Sequence, residues 1–487
     1  FSVVVLFLCA GILTPKEMLE GFSNKGMITV ALLFLVSEGI RQSGTLGQVI
    51  KKLLPQGKTT VFKAQLRILP SVAFISAFLN NTPVVVIFAP IIKHWAKSVN
   101  LPATKFLIPL SYVTILGGIC TLIGTSTNLV VHGMILEAGF EGFSMFELGK
   151  VGIFIAIAGI IYIFLFSKRL LPDARPDTAV PDEEVEEGEK LHRVEAVLGA
   201  RFPGINKKLK DFNFQRHYGA EVKEIKTRNG QRFVTNLDDV VLHEGDTLVV
   251  MADDTFIPTW GESSVFVLLT NGNEPDTTGK KKRWFALLLL VLMIVGATVG
   301  ELPVTKEMFP DIKLDMFFFV SITTIIMAWT NLFPARKYTK YISWDILITI
   351  ACAFAISKAM VNSGVADSVA KFIIGLSDDY GPHVLLAMLF IITNLFTELI
   401  TNNAAAALAF PLALSIASQL GVSPTPFFVV ICMAASASFS TPIGYQTNLI
   451  VQGIGNYKFT DFVRIGLPLN IITFLISIIL IPLIWNF

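Results

Sequence analysis

Hydrophobic residues run along most of this chain in long blocks, with polar residues gathered between the blocks. Blocks near the ~20 residues that a membrane-spanning helix requires fall at residues 148–172, 284–302, 315–331, 344–360, 382–398 and 464–487. The ten-residue alternation of a membrane β-barrel is missing, so the pattern predicts an all-α polytopic membrane protein. The pattern changes once. Residues 173–283 are polar: PDEEVEEGEK (181–190) reads as an acidic linker, and a core at about 194–257 alternates apolar and polar residues in short runs between turn signals. That predicts a small α+β insert between a first membrane repeat, 1–172, and a second, 284–487.

The two apolar parts share one plan. FLNNTPVVVIFAP (78–90) and LITNNAAAALAFP (399–411) place Asn81 and Asn402, and Pro90 and Pro411, at a common offset of 321. GGICTLIGTSTNLVVHG (117–133) parallels SASFSTPIGYQTNLIVQG (436–453), with Asn128 and Asn448 offset by 320. Within each half the amide pair precedes the Thr-Asn pair by 47 or 46 residues, a register that unrelated polar residues would not keep. Subtracting the offset places the 344–360 span on 24–40 and the 315–331 span on the apolar start, while the partner of 284–302 falls before residue 1. One N-terminal span is therefore expected upstream of Phe1.

Charge orients this plan. Lys168 and Arg169 before the insert, Lys280 to Arg283 after it and ARKYTK (335–340) put the insert in the cytoplasm by the positive-inside rule. If TNN is the apex of a re-entrant hairpin, with arms 382–398 and 404–420, the chain ends on the outer side and the two halves are inverted. Inverted repeats with broken hydrophobic segments are the pattern of secondary transporters whose site lies near the bilayer midplane. The chain has 487 residues, 53% of them hydrophobic and 16% charged, and its mean hydropathy is +0.64. Its net charge of +2 gives no reason to expect a nucleic-acid partner. Cys9, Cys120, Cys352 and Cys432 are dispersed without metal spacing, and no HExxH or paired intramembrane carboxylates point to an enzyme.

The candidate chemistry sits at the tips and breaks. Asn80, Asn81 and Thr82, with Thr401, Asn402 and Asn403, are oxygen-rich tips between apolar arms, suited to a hard cation such as sodium. A single intramembrane Asn is commonly just an interhelical hydrogen bond worth ~0.6 kcal/mol, and the recurrence in register favours a site. GTSTN (124–128) and GYQTN (444–448) read as helix breaks where Thr125, Ser126, Thr127 and Asn128, and Gln446, Thr447 and Asn448, offer neutral donors to a dianion. Glu398 is the main intramembrane carboxylate, a candidate either to carry protons or to brace the hairpin through backbone N–H groups. His94, His132 and His383 lie near span ends without companions at metal spacing, and are read as hydrogen-bonded or solvated side chains.

At these motifs the chain resembles the divalent anion:sodium symporter family of the ion transporter superfamily, over nearly all of the membrane part. Members carry a Ser-Asn-Thr signature at two re-entrant tips, here Asn80-Asn81-Thr82 and Thr401-Asn402-Asn403. The resemblance implies sodium at each tip, held by Asn80, Asn81 and Gly124 and by Thr401, Asn402 and Gly444. It places the anion among Asn81, Thr82, Asn402, Asn403 and the breaks at Thr125, Thr127, Asn128, Gln446, Thr447 and Asn448. It also implies a homodimer in a cell membrane, an elevator-type movement, sodium as coupling ion and no cofactor. The family's Thr-Pro-Pro motifs are replaced by Thr125-Ser126-Thr127 and Tyr445-Gln446-Thr447, which weighs against dicarboxylates. GTSTN, FSTPIGYQTN and the insert are similar to the sulfate-transporter branch. LKDFNFQRHYGAEVKEIK (209–226) and HEGDTLVV (243–250) resemble the C-terminal domain of TrkA-type potassium-uptake regulators, implying a regulatory module for a small anionic ligand. The expected activity is sodium-coupled symport of sulfate, with a dicarboxylate carrier and then a ligand-gated anion channel as the alternatives.

Overall fold

The computed structural model describes residues 1–173, 192–199, 201–227, 231–253, 256–260, 265–270, 280–309, 311–375 and 381–487. The acidic stretch 181–190 lies outside the described residues. In chain order the first membrane half contains α1 (Lys25–Gln42), α2 (Val61–Ser76), α3 (Asn81–Ser98), α4 (Leu107–Gly118), α5 (Ser126–Glu137) and α6 (Gly149–Leu170). The second contains α7 (Lys280–Gly300), α8 (Met316–Trp329), α9 (Trp344–Asn362), α10 (Gly381–Leu399), α11 (Asn402–Leu420), α12 (Thr425–Ser436), α13 (Gln446–Gly455) and α14 (Phe459–Ile484). Elements α1 to α6 recur as α9 to α14, with short amphipathic helices Thr45–Leu53 and Val365–Gly375 following α1 and α9. Among the described residues, seven helical segments are long and apolar enough to cross a membrane.

The halves run in opposite senses. At one end Lys105 Nζ donates to the Lys168 carbonyl at the close of α6 (2.8 Å), and Thr45 Oγ1 donates to the Arg283 carbonyl at the start of α7 (3.4 Å). At the other end the Met145 N–H donates to Glu301 (3.0 Å), and Trp485 Nε1 donates to Glu147 (3.1 Å). The hairpin α2–α3 opens toward the first end, where Lys93 meets the insert, while α10–α11 opens toward the second, where the His383 ring lies 5.1 Å from Phe487. The two hairpins thus enter from opposite faces, as those of a chain with an inverted repeat must. The final helix begins at Phe459, five residues before the apolar block at 464, because Asp461 caps its first turn through the Lys458 N–H (2.8 Å).

The insert folds around a five-stranded antiparallel sheet, in the order β3-β2-β4-β1-β5, of β1 (His192–Leu198), β2 (Glu221–Lys226), β3 (Arg232–Phe233), β4 (Thr247–Ala252) and β5 (Phe266–Thr270). Its fifth strand extends the sheet beyond residue 257, pairing Ala196 with Leu269. Phe202, Phe212, Phe214 and Tyr218 fill its core.

The sheet is tied to the membrane part by charge and close packing. Glu195 on β1 accepts from Lys93 on α3 (2.8 Å) and from Lys226 on β2 (3.3 Å). Arg201 pairs with Asp345 at the start of α9, and Gly453 on α13 packs against Thr247 on β4. Burial pushes the Glu195 carboxyl up, and Lys93 and then Lys226 outweigh it, holding the pKa at about 2 against 4.5 for a free glutamate. Its folded pKa lies below the unfolded one, so its contribution to stability is full above about pH 4.5 and is lost as pH falls toward 2. Glu195→Gln removes the buried carboxylate that Lys93 and Lys226 share and is expected to cost about 3 kcal/mol, read as a lower melting temperature of the full chain. The gap between wild type and variant should close between pH 4.5 and 2. A gap independent of pH would contradict the assignment.

Candidate functional site

Both hairpins turn in the middle of the bundle, where backbone groups at the turns have no helix to satisfy them, and side chains take over. Ser76, at the end of α2, donates its hydroxyl to Asn81 Oδ1 (2.7 Å); Thr397, near the end of α10, does the same to Asn402 Oδ1 (2.8 Å). Thr121, in the break between α4 and α5, donates to the Ala77 carbonyl and accepts from the Gly124 N–H (3.1 Å). Thr441, between α12 and α13, donates to the Glu398 carbonyl (3.0 Å) and accepts from the Gly444 N–H (3.3 Å). Asn128 Nδ2 donates to the Thr121 carbonyl (2.9 Å) and Asn448 Nδ2 to the Thr441 carbonyl (3.1 Å). Four kinds of hydrogen bond therefore recur at both tips, donor for donor.

Each tip gathers oxygens. A Cβ placed on Gly118 would meet Asn81 Oδ1 at 2.6 Å and the Gly124 carbonyl at 3.1 Å, and one placed on Gly124 would meet the Gly118 carbonyl and, at 2.9 Å, the Ala77 carbonyl. Ala77, Gly118 and Gly124 carbonyls, Asn81 Oδ1 and Thr121 Oγ1 thus form one neutral cluster around the C-terminal ends of α2 and α4. At the second tip a Cβ on Gly444 would meet Ser438 Oγ and the Thr397 carbonyl, so the corresponding cluster lies around the ends of α10 and α12. Such oxygens, with the partial negative charge of helix C-termini, suit a hard monovalent cation.

The N-terminal ends of four helices meet on the other side of these clusters. Asn81 opens α3 and donates through Nδ2 to Tyr445 Oη (2.6 Å), and Tyr445 is the residue that immediately precedes α13. Thr82 lies 3.4 Å from Gln446, the first residue of α13. Ser126 and Thr127, which open α5, each donate to Asn403 Oδ1 on α11 at 3.2 Å. Thr125 Oγ1 lies 3.2 Å from Tyr445 Oη. The ends of α3, α5, α11 and α13 are therefore one or two hydrogen bonds apart. Each carries roughly +0.5 of an elementary charge, so together they form a positively polarised centre without an ionised side chain.

The residues expected from the sequence fall into distinct places. Asn81, Thr125, Thr127, Asn128, Asn402, Thr447 and Asn448 are buried at the centre, and Thr82 and Asn403 are half-buried beside it. Thr447 and Asn448 also accept from Ser111 on α4, at 2.9 and 2.7 Å. Asn80 instead lines a cleft with Phe78, Ile123 and Ser126 against Val30, Leu33 and Val36 of α1. Thr401 and Gln446 are exposed. Glu398 accepts from the Ser440 N–H, the Thr441 N–H and Asn470 Nδ2, each at 2.8 Å, and so braces the second break. Its counterpart in the first half is Ala77, which leaves that break without a carboxylate. Ser76, Thr397, Thr121, Thr441 and Tyr445 were missed as site residues, although the offsets of 321 and 320 pair the first four as they pair the asparagines.

A family model described as "Citrate transporter" matches residues 1–418 and again 312–486. The chain belongs to the citrate transporter family. It is accordingly a multi-pass membrane transporter. An uncharacterized transporter of Synechocystis is 30% identical over 99% of this chain and 93% of its own length. A putative sulfur deprivation response regulator of Chlamydomonas reinhardtii is 28% identical over 98% of this chain and 96% of its own length. Sodium/sulfate cotransporter 2 of the same alga is 31% identical over 58% of this chain and 31% of its own length.

The break in the first half tolerates no side chain at Gly124, because the added Cβ meets backbone, including Gly118 Cα at 2.7 Å. Gly124→Ala is expected to lower the melting temperature and to cut transport at least tenfold, whereas Gly375→Ala, with open space around it and no left-handed backbone, should leave transport intact. Normal transport by Gly124→Ala would contradict the close packing of this break.

Proposed function

We propose that the protein is a sodium-coupled symporter of a divalent anion, with sulfate as its substrate. The observation that carries this reading is the division of helix ends at the midplane. C-terminal ends of α2, α4, α10 and α12 surround the two oxygen clusters, and N-terminal ends of α3, α5, α11 and α13 surround the space between them. In this reading sodium binds one cluster through Asn81 and Gly124 and the other through Asn402 and Gly444, with Asn80 and Thr401 on the outer rim of the tips. The dianion lies among Asn81, Thr82, Thr125, Thr127, Asn128, Asn402, Asn403, Gln446, Thr447 and Asn448, where N–H groups and hydroxyls oppose its charge. The nominal dipole charge of the four N-termini is about +2, near that of the anion.

Coupling follows from this geometry. The same hairpin turn ends at a sodium cluster on one side and at the anion centre on the other, so sodium that orders Asn81 or Asn402 also orders an anion ligand. Neutral ligands release the anion more readily than a buried Arg or Lys would, since no fixed charge is left unpaired on departure. Sulfate is favoured by the replacement of both Thr-Pro-Pro motifs and by the sodium/sulfate cotransporter among the relatives.

The reading includes an elevator-type movement of the hairpins and breaks past the apolar face of α1 and α7, whose Val30, Leu33, Val36 and Leu290 line the cleft at Asn80. It also includes a homodimer, a cytoplasmic insert of the TrkA C-terminal type and a C-terminus on the outer side. The basic ends Lys168, Arg169 and Lys280 to Arg283 beside the insert support that orientation.

Labelled sulfate uptake into proteoliposomes, driven by an inward sodium or potassium gradient, tests the proposal. Sodium-dependent accumulation is expected, falling at least tenfold in Asn81→Ala and in Asn402→Ala. Succinate or citrate accumulation without sulfate would move the assignment to carboxylates, and accumulation independent of sodium would refute the coupling.

A further inference from the structure

The offset that pairs the halves also pairs Thr125 with Tyr445. These two residues touch: the Thr125 hydroxyl lies 3.2 Å from Tyr445 Oη. A residue that meets its own repeat partner marks the pseudo-two-fold axis, so this contact locates the axis between the tips. Both residues occupy the N-cap position of the helix that follows them, α5 and α13, where Thr125 accepts from the Thr127 N–H and the Tyr445 side chain makes no capping bond. They differ in reach. A threonine hydroxyl stays beside its own backbone, whereas the phenol carries its oxygen a ring's length across the axis.

Tyr445 is 9% exposed, and its hydroxyl accepts from Asn81 Nδ2 at 2.6 Å. A phenol from the second half therefore reaches the amide at the tip of the first, and its single proton is available to Thr125 or to a ligand oxygen. A symmetric site with threonine at both positions would leave this volume open along the axis.

We propose that Tyr445 is the size filter of the anion site. Its ring fills one end of the space between the four helix N-termini and restricts the site to compact tetrahedral oxyanions, while its hydroxyl donates one of the hydrogen bonds that such an anion receives. Extended dicarboxylates and tricarboxylates need that volume for their second carboxylate and are excluded by the ring. This inference rests on the reading of the central space as an anion site and accounts for a sulfate preference within a family described by citrate.

The test is a length series of anions (sulfate, thiosulfate, malonate, succinate and citrate) added with sodium to the purified full-length protein. Anion-induced shifts in melting temperature are read beside competition for uptake. Wild type should prefer sulfate over succinate by about a hundredfold or more. Tyr445→Thr, which restores the residue found at the equivalent position 125, should shrink that preference at least tenfold, chiefly by admitting the longer anions. Tyr445→Phe keeps the ring and should keep the size limit, while weakening sulfate binding about tenfold.

Wild-type binding of succinate or citrate within a few-fold of sulfate would overturn the filter, as would an unchanged ratio in Tyr445→Thr or a relaxed limit in Tyr445→Phe. Wild type that binds another compact oxyanion in place of sulfate, with the limit moving in Tyr445→Thr, would overturn only the choice of sulfate and uphold the filter.

Discussion

Unpaired backbone in the middle of a bilayer is the constraint on which this structure depends. A helix that stops at the midplane leaves carbonyls without donors, and one that starts there leaves N–H groups without acceptors, each at a cost of several kcal/mol in hydrocarbon. Four helices stop and four start in the core of this protein. Thr121 and Thr441 answer part of that demand by donating to a carbonyl at the hairpin turn while accepting from a glycine N–H in the break. Asn128 and Asn448 hold the carbonyls of those same threonines. The polar groups that remain are directed inward, carbonyls toward one pair of places and N–H groups toward another.

In the proposed mechanism, that residue of unmet demand gives the core its affinity for ions. Helix C-termini attract cations and N-termini attract anions, so broken helices that converge in antiparallel pairs sort opposite charges within a short distance. The outer elements hold this arrangement in register. Glu398 secures the second break through two N–H groups and Asn470, and Ser111 crosses from α4 to Thr447 and Asn448. The five-stranded insert is fastened to α3 by Glu195 and Lys93 and to the start of α9 by Arg201 and Asp345. It therefore links two membrane elements, one in each half.

Much of the architecture was legible because helices in lipid leave a strong one-dimensional trace. The blocks at 148–172, 344–360 and 382–398 correspond to Gly149–Leu170, Trp344–Asn362 and Gly381–Leu399, and the Asn81/Asn402 and Asn128/Asn448 pairs fall at matching points of the two halves. The hydroxyls that brace the turns were harder to see. Ser76, Thr121, Thr397 and Thr441 are ordinary residues for a membrane helix, and only the three-dimensional turn shows that their oxygens face a break. Tyr445 entered the sequence reading only as a departure from a motif. Its bridge to Asn81 spans 364 residues, a separation no local pattern encodes. The fifth strand of the insert was missed for a related reason, since its pairing with β1 joins Glu195 to Thr270 across a long stretch of polar chain.

The central claim is that the two threonine-braced oxygen clusters bind sodium. The most direct measurement is the rise in melting temperature produced by sodium, relative to potassium, in the purified protein without anion, for wild type, Thr121→Val, Thr441→Val and the double variant. Binding to the folded state raises stability by about 2.7 kcal/mol at a hundredfold excess over Kd. The account predicts a sodium-specific rise in wild type, a smaller one in each single variant and none in the double variant. A rise that potassium reproduces, or one that survives in the double variant, would contradict it.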